Sequence, residues 1–599
     1  MWSFLRQTLA SCLGFFVALS LFSVLGISSV ALILFGLVEP EETATVKDKS
    51  ILVLDLSQPI QDTDPLDSLQ QSIVGETTSS SQLRDVLKAI ELAAEDDRIV
   101  GLLLDGSPGS NGSGYAILQE VREALVEFKE SDKLVLAYDV NWGEGEYYLG
   151  SLADTVYMNP MGALELNGLS IQQTFYAEAL EKFGVGVQIV RAGEYKSAIE
   201  PFVRQELSQE SEEQFSVLLG DVWRDILGVI SQDRPTTSQA LQGLVESQGF
   251  LFPQEAKRAK LVDELAYEDE VAKRLREVTE QEEEETGFRH ISVDNYLLAQ
   301  SPLDKDNSSE QKIALVYAQG PIVYGEGELN EIGSDRVVRQ LRKIRDNEDI
   351  KAVVVRINSP GGSATASEVI LRELQLLKEE KPIVVSMGNL AASGGYWIAM
   401  GSDYLVAQSN TITGSIGVFG VLPNIQEIAN ENGVSWDTVK TGPFADSSTI
   451  TRPKTEAEMT QFQESVDRVY ELFLDKVVKS RDLSRSKVAE IAQGRVWSGK
   501  DAQRLGLVDA VGGIETAILQ AAEMAELGED WQVEEYQTKP DWEELLLRRF
   551  TLQLSSRFST ETDPITSEFQ GLQQQFRSIT DFSDPKGVYS RLPFALIIK

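Results

Sequence analysis

The clearest pattern along the chain is an alternation of short apolar runs with amphipathic stretches, which is easiest to follow between residues 312 and 408. Four runs rich in β-branched residues predict strands: KIALVYA (312–318), AVVVRI (352–357), PIVVSM (382–387) and DYLVAQ (403–408). Between them, residues 367–380 carry apolar side chains at helical spacing, and residues 393–401 predict a shorter helix. Near-continuous apolar strands alternating with helices indicate an α/β domain with a mostly parallel, covered sheet.

A related pattern occurs in the first half, because segment 133–193 aligns without gaps on segment 382–442 at an offset of 249 residues. The nine identical pairs are Val135/Val384, Gly145/Gly394, Tyr147/Tyr396, Asp154/Asp403, Gly168/Gly417, Gly184/Gly433, Val185/Val434, Val190/Val439 and Gly193/Gly442. Four of these nine pairs are glycines, which indicates shared backbone turns rather than shared hydrophobicity. The alignment predicts a tandem duplication, with one α/β domain in each half.

Composition sets the expected boundaries of the domains. No charged residue occurs from Gln7 to Val38, and this apolar stretch exceeds the roughly 20 residues that span a bilayer as a helix. Residues 1–45 are therefore predicted to be an uncleaved transmembrane anchor, whose flanking charges do not fix its orientation. The expected order is then a first domain over 46–277, an acidic linker over 278–310, a second domain over 311–535 and a helical tail over 536–599.

Charge and rare residue types exclude several classes of function. The net charge of −40 opposes binding to nucleic acid, because phosphates would be repelled. The single cysteine, Cys12, excludes an intramolecular disulfide and a cysteine metal site. The single histidine, His290, is interpreted as a solvated linker residue, so neither a His-rich zinc site nor a Ser-His-Asp triad is expected. Nucleophilic chemistry in this chain would need a base of another residue type.

Candidate chemistry is concentrated in three glycine-containing motifs of the second half: NSPGG (358–362), AASGGY (391–396) and TGSIG (413–417). Ser393 follows a predicted strand and opens a helix, where free amides stabilise a developing oxyanion. Gly361 and Gly362 follow another strand end, and Gly394 follows the serine. Because glycine lets the backbone approach a substrate carbonyl closely, these three residues are the candidate oxyanion hole.

The same cluster contains two other hydroxyl groups. Ser415 is expected to support the reaction and Ser359 to form a turn. A lone Ser-Gly-Gly usually does no more than cap a helix beside a tight turn. Three such motifs at consecutive strand ends are much more specific for a reactive serine.

These motifs resemble those of the signal peptide peptidase SppA family (protease IV, S49), whose domains are related to the ClpP and crotonase folds. The resemblance covers nearly the whole chain after the anchor, in the long, duplicated form. It implies a Ser/Lys dyad with the serine in the second half and the lysine in the first, and no cofactor. The motif GEYKSAIEPF (193–202) makes Lys196 the implied general base for Ser393.

The resemblance also implies partners and a location. The expected substrates are peptides, including cleaved signal peptides and unfolded or membrane-derived peptides. The expected assembly is a homotetramer attached to a membrane, with its catalytic body in the periplasm or an equivalent lumen.

The repeat supports the cross-domain dyad independently of the family. At the offset of 249, Ser393 lies opposite Glu144 and Lys196 lies opposite Ala445, so each half keeps one member of the dyad. A lysine serves as a base only when its amine is neutral, which requires burial to lower its pKa by several units.

Two other classes of function remain open on the sequence alone. A crotonase-type acyl-CoA enzyme would share the fold and the glycine oxyanion hole without needing a serine nucleophile. An inactive membrane scaffold is the third alternative, and the fold itself cannot choose among the three.

Overall fold

The computed structural model describes residues 45–63, 80–106, 112–281, 287–304, 309–536 and 588–592. The predicted anchor, Gln7 to Val38, lies outside these residues, as does most of the predicted C-terminal tail. Within the described ranges, no helix combines the length and the hydropathy needed to cross a bilayer.

The first half of the chain is built around a seven-stranded sheet. The strands of this half are β1 Ser50–Asp55, β2 Ile60–Gln61, β3 Ser81–Gln82, β4 Ile99–Asp105, β5 Leu134–Trp142, β6 Thr155–Glu165, β7 Gly186–Ala192, β8 Phe250–Leu251, β9 Glu264–Leu265 and β10 His290–Ser292. Its helices are α1 Leu83–Glu95, α2 Tyr115–Lys129, α3 Glu144–Gly150, α4 Ala177–Lys182, α5 Glu200–Val203, α6 Gln209–Asp233, α7 Ser238–Ser247, α8 Pro253–Arg258, α9 Glu268–Val278 and α10 Val293–Asp304. The strand order is β10–β1–β4–β5–β6–β8 with β9 beside β6, and only β8 runs antiparallel to its neighbour.

The second half contains an eight-stranded sheet of the same kind. Its strands are β11 Lys312–Gln319, β12 Ile322–Val323, β13 Ile332–Gly333, β14 Ile350–Ser359, β15 Gly361–Ser363, β16 Ile383–Ala392, β17 Tyr404–Ala407, β18 Ile412–Gly414, β19 Val418–Asn424, β20 Val496–Ser498, β21 Ala510–Val511, β22 Gln532–Tyr536 and β23 Tyr589–Arg591. Its helices are α11 Ser334–Asp346, α12 Ala364–Lys378, α13 Gly394–Ala399, α14 Gln426–Glu431, α15 Glu456–Arg481, α16 Arg485–Ile491, α17 Gly499–Leu505 and α18 Ile514–Met524. The order is β20–β18–β16–β14–β11–β22, with β17 beside β16 and β21 beside β17. All pairs are parallel except that of β20 with β18, which confirms the predicted α/β architecture.

The elements repeat with the offset found in the sequence. Helices α2 and α12 begin and end 249 residues apart, and β5 and β16 begin 249 residues apart.

Helix α12 shows why these elements form where they do. The Ser363 hydroxyl accepts a hydrogen bond from the Ala366 N–H at 3.1 Å and caps the helix. Ile370, Leu374 and Leu377 then recur at helical spacing and are buried.

A third sheet joins the two halves. Its order is β13–β12–β15–β23–β19–β7, so that one strand of the first half lies at the edge of a sheet from the second. Strand β7 pairs antiparallel with β19 over seven residues, from Gly186 opposite Asn424 to Ala192 opposite Val418. This pairing places the loop after β7, which contains Lys196, beside the second domain.

A buried ion cluster and a shared core fix the same interface. Arg356 on β14 donates to Asp62 at 2.8 Å and to Glu120 at 2.5 Å, and all three side chains are buried. Leu102 of β4 and Val354 of β14 belong to one continuous apolar cluster. Because separating the halves would leave charges and apolar surface uncompensated, the two domains are docked as one body.

One boundary prediction needs correction. Residues 290–304 of the predicted linker belong to the first domain, because β10 pairs with β1 and Tyr296 of α10 packs in the core. The pairing joins segments that are distant along the chain, so the local sequence pattern does not reveal it. Of the predicted tail, 536–599, the described residues are Tyr536, which ends β22, and Val588–Leu592, which contain strand β23. The rest of the tail lies outside the described residues.

Candidate active site

Ser393 lies where β16 ends and α13 begins, and its backbone adopts an unusual conformation. Its φ is +58° and its ψ is −113°, a region that costs a residue with a side chain roughly 1–3 kcal/mol. The Ser393 N–H donates to the Gly414 carbonyl at 2.8 Å, and the Trp397 N–H donates to the Ser393 carbonyl at 2.8 Å. The surrounding strands and helix thus hold a strained turn, whose hydroxyl meets a side chain from the first half.

That side chain is Lys196, which lies in the loop after β7 and is only 1% exposed. Its Nζ lies 2.6 Å from Ser393 Oγ, 2.9 Å from Ser415 Oγ and 3.0 Å from the Ser415 carbonyl oxygen. Burial lowers the pKa of the Lys196 ammonium well below its usual 10.5, because the charged form loses its hydration. The structure therefore brings together the two residues predicted as nucleophile and base.

The contacts of Lys196 suit a neutral amine. A neutral amine has two N–H donors and one lone pair, whereas an ammonium has three donors and none. The hydroxyl and carbonyl oxygens of Ser415 accept the two N–H bonds. Ser393 Oγ lies 2.6 Å from the same nitrogen, which is close enough for a neutral amine to accept the serine proton.

The lysine loop is held against the second domain by two glycines. A Cβ atom on Gly193 would lie 2.7 Å from the carbonyl carbon of Gln493, and one on Gly494 would lie 2.7 Å from the Lys196 nitrogen. The Tyr195 N–H also donates to the Gln493 carbonyl at 2.8 Å. Gly494 was not singled out by the sequence, since no motif or repeat marks the loop in which it lies.

The two additional serines have distinct contacts. Ser415 has a φ of +50°, and its N–H donates to the Arg495 carbonyl at 2.7 Å, so its two oxygens are fixed toward Lys196. Ser359 is farther along the turn: its hydroxyl donates to the Gly320 carbonyl at 2.7 Å and accepts from the Gly361 N–H at 3.1 Å. Ser415 touches the candidate base, whereas Ser359 holds the glycine turn.

The contacts of the candidate oxyanion glycines divide them into two kinds. The Gly361 N–H donates to the Ser359 hydroxyl at 3.1 Å and is therefore engaged within the turn. Its φ of +94° is a backbone conformation that glycine adopts readily and other residues rarely do, so the turn requires glycine at this position. The Gly362 and Gly394 backbones lie close together, since a Cβ atom on Gly394 would be 3.0 Å from the Gly362 nitrogen. These two residues remain the candidate donors.

Ser590 is a residue that the sequence did not indicate. Its Oγ lies 2.6 Å from Ser393 Oγ and 3.3 Å from the Gly417 carbonyl oxygen, and its side chain is buried. It is nearly 200 residues from Ser393 along the chain, and a lone serine among mostly apolar neighbours gives no signal of such a contact.

The first half does not form an equivalent dyad. Glu144, the repeat counterpart of Ser393, accepts hydrogen bonds from the N–H groups of Asn167 and Gly168, both at 2.7 Å. Ala445, the counterpart of Lys196, is exposed. The complementary retention of one residue in each half thus corresponds to a single site between the halves.

A buried serine hydroxyl within hydrogen-bond reach of a desolvated lysine amine, beside a glycine turn, is an arrangement that activates a nucleophile for acyl transfer. The fold and the site together define the class of the protein as a serine hydrolase.

Comparison with known proteins identifies the family. The model of peptidase family S49 matches residues 127–282 and 375–528, once in each half, and the Clp protease model matches residues 305–411. Protease 4 of Salmonella typhi is 34% identical over 92% of this chain and 90% of its own. The chloroplastic serine protease SPPA of Arabidopsis thaliana is 34% identical over 73% of this chain and 64% of its own length. A putative signal peptide peptidase SppA of Enterococcus faecium is 33% identical over 39% of this chain and 69% of its own length.

The chain belongs to peptidase family S49, in the long form with duplicated domains, and is a serine peptidase. Family membership decides against the acyl-CoA enzyme and the inactive scaffold that the sequence alone left open.

The packing of Gly494 generates a prediction with a matched control. Gly494 and Gly433 have nearly the same φ, +78° and +77°, but a Cβ atom at Gly494 would collide with Lys196, whereas nothing lies within 4 Å of one at Gly433. Both alanine variants bear the same backbone strain. We expect Gly494→Ala to lower kcat for a peptide substrate by about 100-fold, since small displacements of reacting groups have effects of that size.

Gly433→Ala should change kcat less than about twofold, because the added methyl group meets open space and acts only on the backbone. The measurement is steady-state kinetics, with thermal unfolding of both variants as a check on folding. Equal kcat values for the two variants would contradict a positioning role for Gly494.

Proposed function

We propose that Ser393 is the nucleophile and Lys196 the general base of this peptidase. The observation that carries the proposal is the 2.6 Å contact between Lys196 Nζ and Ser393 Oγ in a fully buried site. Lys196 accepts the hydroxyl proton as Ser393 Oγ attacks the carbonyl carbon of the substrate peptide bond. The resulting ammonium then protonates the leaving nitrogen, and the carbon–nitrogen bond breaks to give an acyl-enzyme.

The second half of the reaction uses the same two groups. Neutral Lys196 removes a proton from an incoming water molecule, the hydroxide attacks the ester carbonyl, and Ser393 Oγ departs with the proton returned by Lys196. The N–H groups of Gly362 and Gly394 stabilise the negative oxygen in both tetrahedral intermediates. Ser415 orients the amine throughout, because its hydroxyl and carbonyl oxygens engage both N–H groups of the neutral lysine.

The proposed substrates are peptides in an extended conformation, including cleaved signal peptides. The relatives of the chain, among them a putative signal peptide peptidase SppA, support this substrate class. We propose further that the apolar stretch from Gln7 to Val38 anchors the enzyme in a membrane, with the catalytic body in the periplasm or a lumen.

We also propose that the chain assembles into a closed homo-oligomer, a tetramer by the family resemblance. At the repeat offset of 249 residues, the counterpart of β7 is segment 435–441 and the counterpart of β19 is segment 169–175. Neither of these described segments forms a strand of two or more residues. Val190 in β7 is 4% exposed, whereas its counterpart Val439 is 99% exposed.

Pairing 435–441 of one copy with 169–175 of the next would repeat the β7–β19 contact between chains. Such a contact joins two different surfaces, and contacts of this kind form a ring when the rotation between successive copies closes. The exposed side chains of Val434, Trp436 and Val439 supply the apolar surface for the contact.

Substitution of the dyad tests the proposed mechanism. Ser393→Ala, Lys196→Met and Lys196→Arg should each lose nearly all turnover of a peptide substrate while remaining folded. Arginine fails because guanidinium stays protonated and cannot accept the serine proton. Lys381→Met is the matched control: it removes another buried amine, which donates to the Ile344 carbonyl at 2.7 Å. Lys381 precedes β16, at the opposite end of that strand from Ser393.

Lys381→Met should retain turnover. A fluorophosphonate probe should label Ser393 in the unchanged enzyme, as located by peptide mass spectrometry. Labelling at another serine, or normal turnover by Ser393→Ala, would refute the assignment.

The direction of the lysine pKa shift predicts the pH profile. Only neutral Lys196 accepts a proton, and burial places its pKa well below 10.5. The value of kcat/KM should therefore rise with pH through one inflection well below pH 10.5 and then level off. Initial rates between pH 5 and 10, with unfolding followed over the same range, provide the measurement. An inflection near 10 would indicate a solvated lysine and contradict the proposal.

The proposed assembly is tested at Val439, the exposed counterpart of Val190 in β7. Val439→Asp should shift the molar mass in light scattering toward the monomer, because a carboxylate would be buried in the pairing surface. Leu519→Asp is the control, since Leu519 is also an exposed apolar residue but lies on α18. A monomeric unchanged chain, or equal effects of the two substitutions, would contradict the proposed contact.

A further inference from the structure

One polar side chain interrupts the buried face of α6, the long helix of the first half that follows the lysine loop. From Phe215 onward the buried positions of this helix are all apolar: Phe215, Leu218, Val222, Ile226, Leu227 and Ile230. Gln214 lies on the same face and is only 2% exposed. A buried side-chain amide is costly unless both its donor and its acceptor are satisfied. The partners of Gln214 therefore indicate what this residue does.

The amide of Gln214 joins the lysine loop to the second domain. Its Nε2 donates to the Tyr195 carbonyl at 3.0 Å, and its Oε1 accepts from the Val496 N–H at 3.2 Å. The Tyr195 carbonyl belongs to the peptide group that ends at the Lys196 nitrogen, and the Lys196 N–H donates to the Gly193 carbonyl at 3.3 Å. This peptide group is thus held on both sides, which fixes the backbone from which the lysine side chain departs.

Val496 belongs to β20, which lies at one end of the strand order of the second sheet. It is opposite Gly414 of the antiparallel neighbour β18. The adjacent hydrogen bond runs from the Ser415 N–H to the Arg495 carbonyl at 2.7 Å, so the pair at Val496 is not itself hydrogen-bonded. The Val496 N–H therefore points away from β18 and toward α6, where Gln214 supplies its acceptor.

These contacts complete a ring of bonds through the candidate base. From Gln214 the ring passes along the lysine loop to the Lys196 amine, which lies 2.9 Å from the hydroxyl oxygen and 3.0 Å from the carbonyl oxygen of Ser415. The Ser415 N–H leads to the Arg495 carbonyl, and the next residue, Val496, returns to Gln214. The lysine is therefore held at both ends, its backbone by Gln214 and its amine by Ser415, with residues 495–496 as their common support.

The charged groups around this ring have partners of their own. Glu213 of α6 pairs with Arg495 at 3.2 Å. The carboxylate of Glu200, in α5, accepts hydrogen bonds from the N–H and the hydroxyl of Ser208 at 3.1 and 2.5 Å. Burial, and neither of these charged groups, is the cause that lowers the pKa of Lys196. A change in the pH profile of the enzyme would therefore show how well the lysine is enclosed.

We propose that Gln214 is a positioning residue, which keeps Lys196 within reach of Ser393 by tying the lysine loop to β20. The proposal rests on the dyad assigned above and adds a residue on which the geometry of the dyad depends. Without the amide, the Tyr195 carbonyl and the Val496 N–H would be buried without this partner, and the loop would shift to admit water to them. Water that reaches the lysine amine stabilises the ammonium, so a smaller fraction of the enzyme would hold a base in the correct place.

Two substitutions of glutamine by methionine test the role of the amide in the full-length chain. Gln214→Met keeps a side chain of similar length and removes both hydrogen bonds. Gln188→Met is the matched control, because Gln188 in β7 also bridges the halves: its Nε2 donates to the Lys454 carbonyl at 3.1 Å and its Oε1 accepts from the Lys454 N–H at 2.6 Å.

Gln214→Met should lower kcat for a fluorogenic peptide by about tenfold or more and change KM less than about twofold, because the base is displaced while the substrate contacts remain. The inflection in kcat/KM should also move to higher pH, since a less enclosed lysine has a higher pKa. Gln188→Met should leave kcat, KM and the inflection unchanged. Thermal unfolding of both variants provides the check on folding.

The outcomes separate this inference from the proposed function. Unchanged kinetics of Gln214→Met, a fall in its kcat with the inflection unmoved, or the same shift in Gln188→Met would each overturn the inference while the dyad stands. If Gln214→Met does not fold, Gln214→Glu decides: its carboxylate cannot donate to Tyr195 and adds a negative charge that favours the ammonium, so a folded variant with an unmoved inflection would overturn the inference. Absence of fluorophosphonate labelling at Ser393 in the unchanged chain would refute the dyad itself.

Discussion

The contact between the Lys196 amine and the Ser393 hydroxyl sets the physical constraint on which the rest of the site depends. An ammonium ion in this position would be costly, because it is fully buried and desolvation dominates its titration. The neutral amine is stable there only while oxygens accept its N–H groups, and Ser415 supplies both acceptors. The reactive state of the lysine is therefore a consequence of how tightly the two halves enclose it.

That enclosure is built from contacts that neither half could make alone. The β7–β19 pairing brings the lysine loop to the second domain, and the Gly193 and Gly494 backbones approach each other where a side chain would not fit. The buried Arg356 then ties the second domain to Asp62 and Glu120 of the first. Removing one partner of such a cluster leaves an uncompensated charge, so the cluster favours the docked arrangement over partial opening.

The sequence predicted the parts of this structure that depend on local pattern. The four apolar runs of the second half became β11, β14, β16 and β17 because buried parallel strands need apolar residues on both faces. Ser393 was found from its glycine-rich turn, whereas Lys196 needed the family motif, since no local property distinguishes a buried lysine from an exposed one. Gly494 and Ser590 were missed, because their roles arise only from contacts with segments remote in the sequence.

The duplication explains why this site is asymmetric. Two identical domains would each require a serine and a lysine, yet the β7–β19 exchange places the lysine loop of one domain beside the serine turn of the other. In the proposed mechanism the base is supplied across the interface, so neither a lysine within the serine domain nor a serine within the lysine domain is needed. Glu144 occupies the unneeded serine position, where its carboxylate accepts hydrogen bonds from the N–H groups of Asn167 and Gly168 and braces a loop of the first domain. The proposed chemistry and this structural support are thus divided between two copies of one fold, with the candidate site at the interface between them.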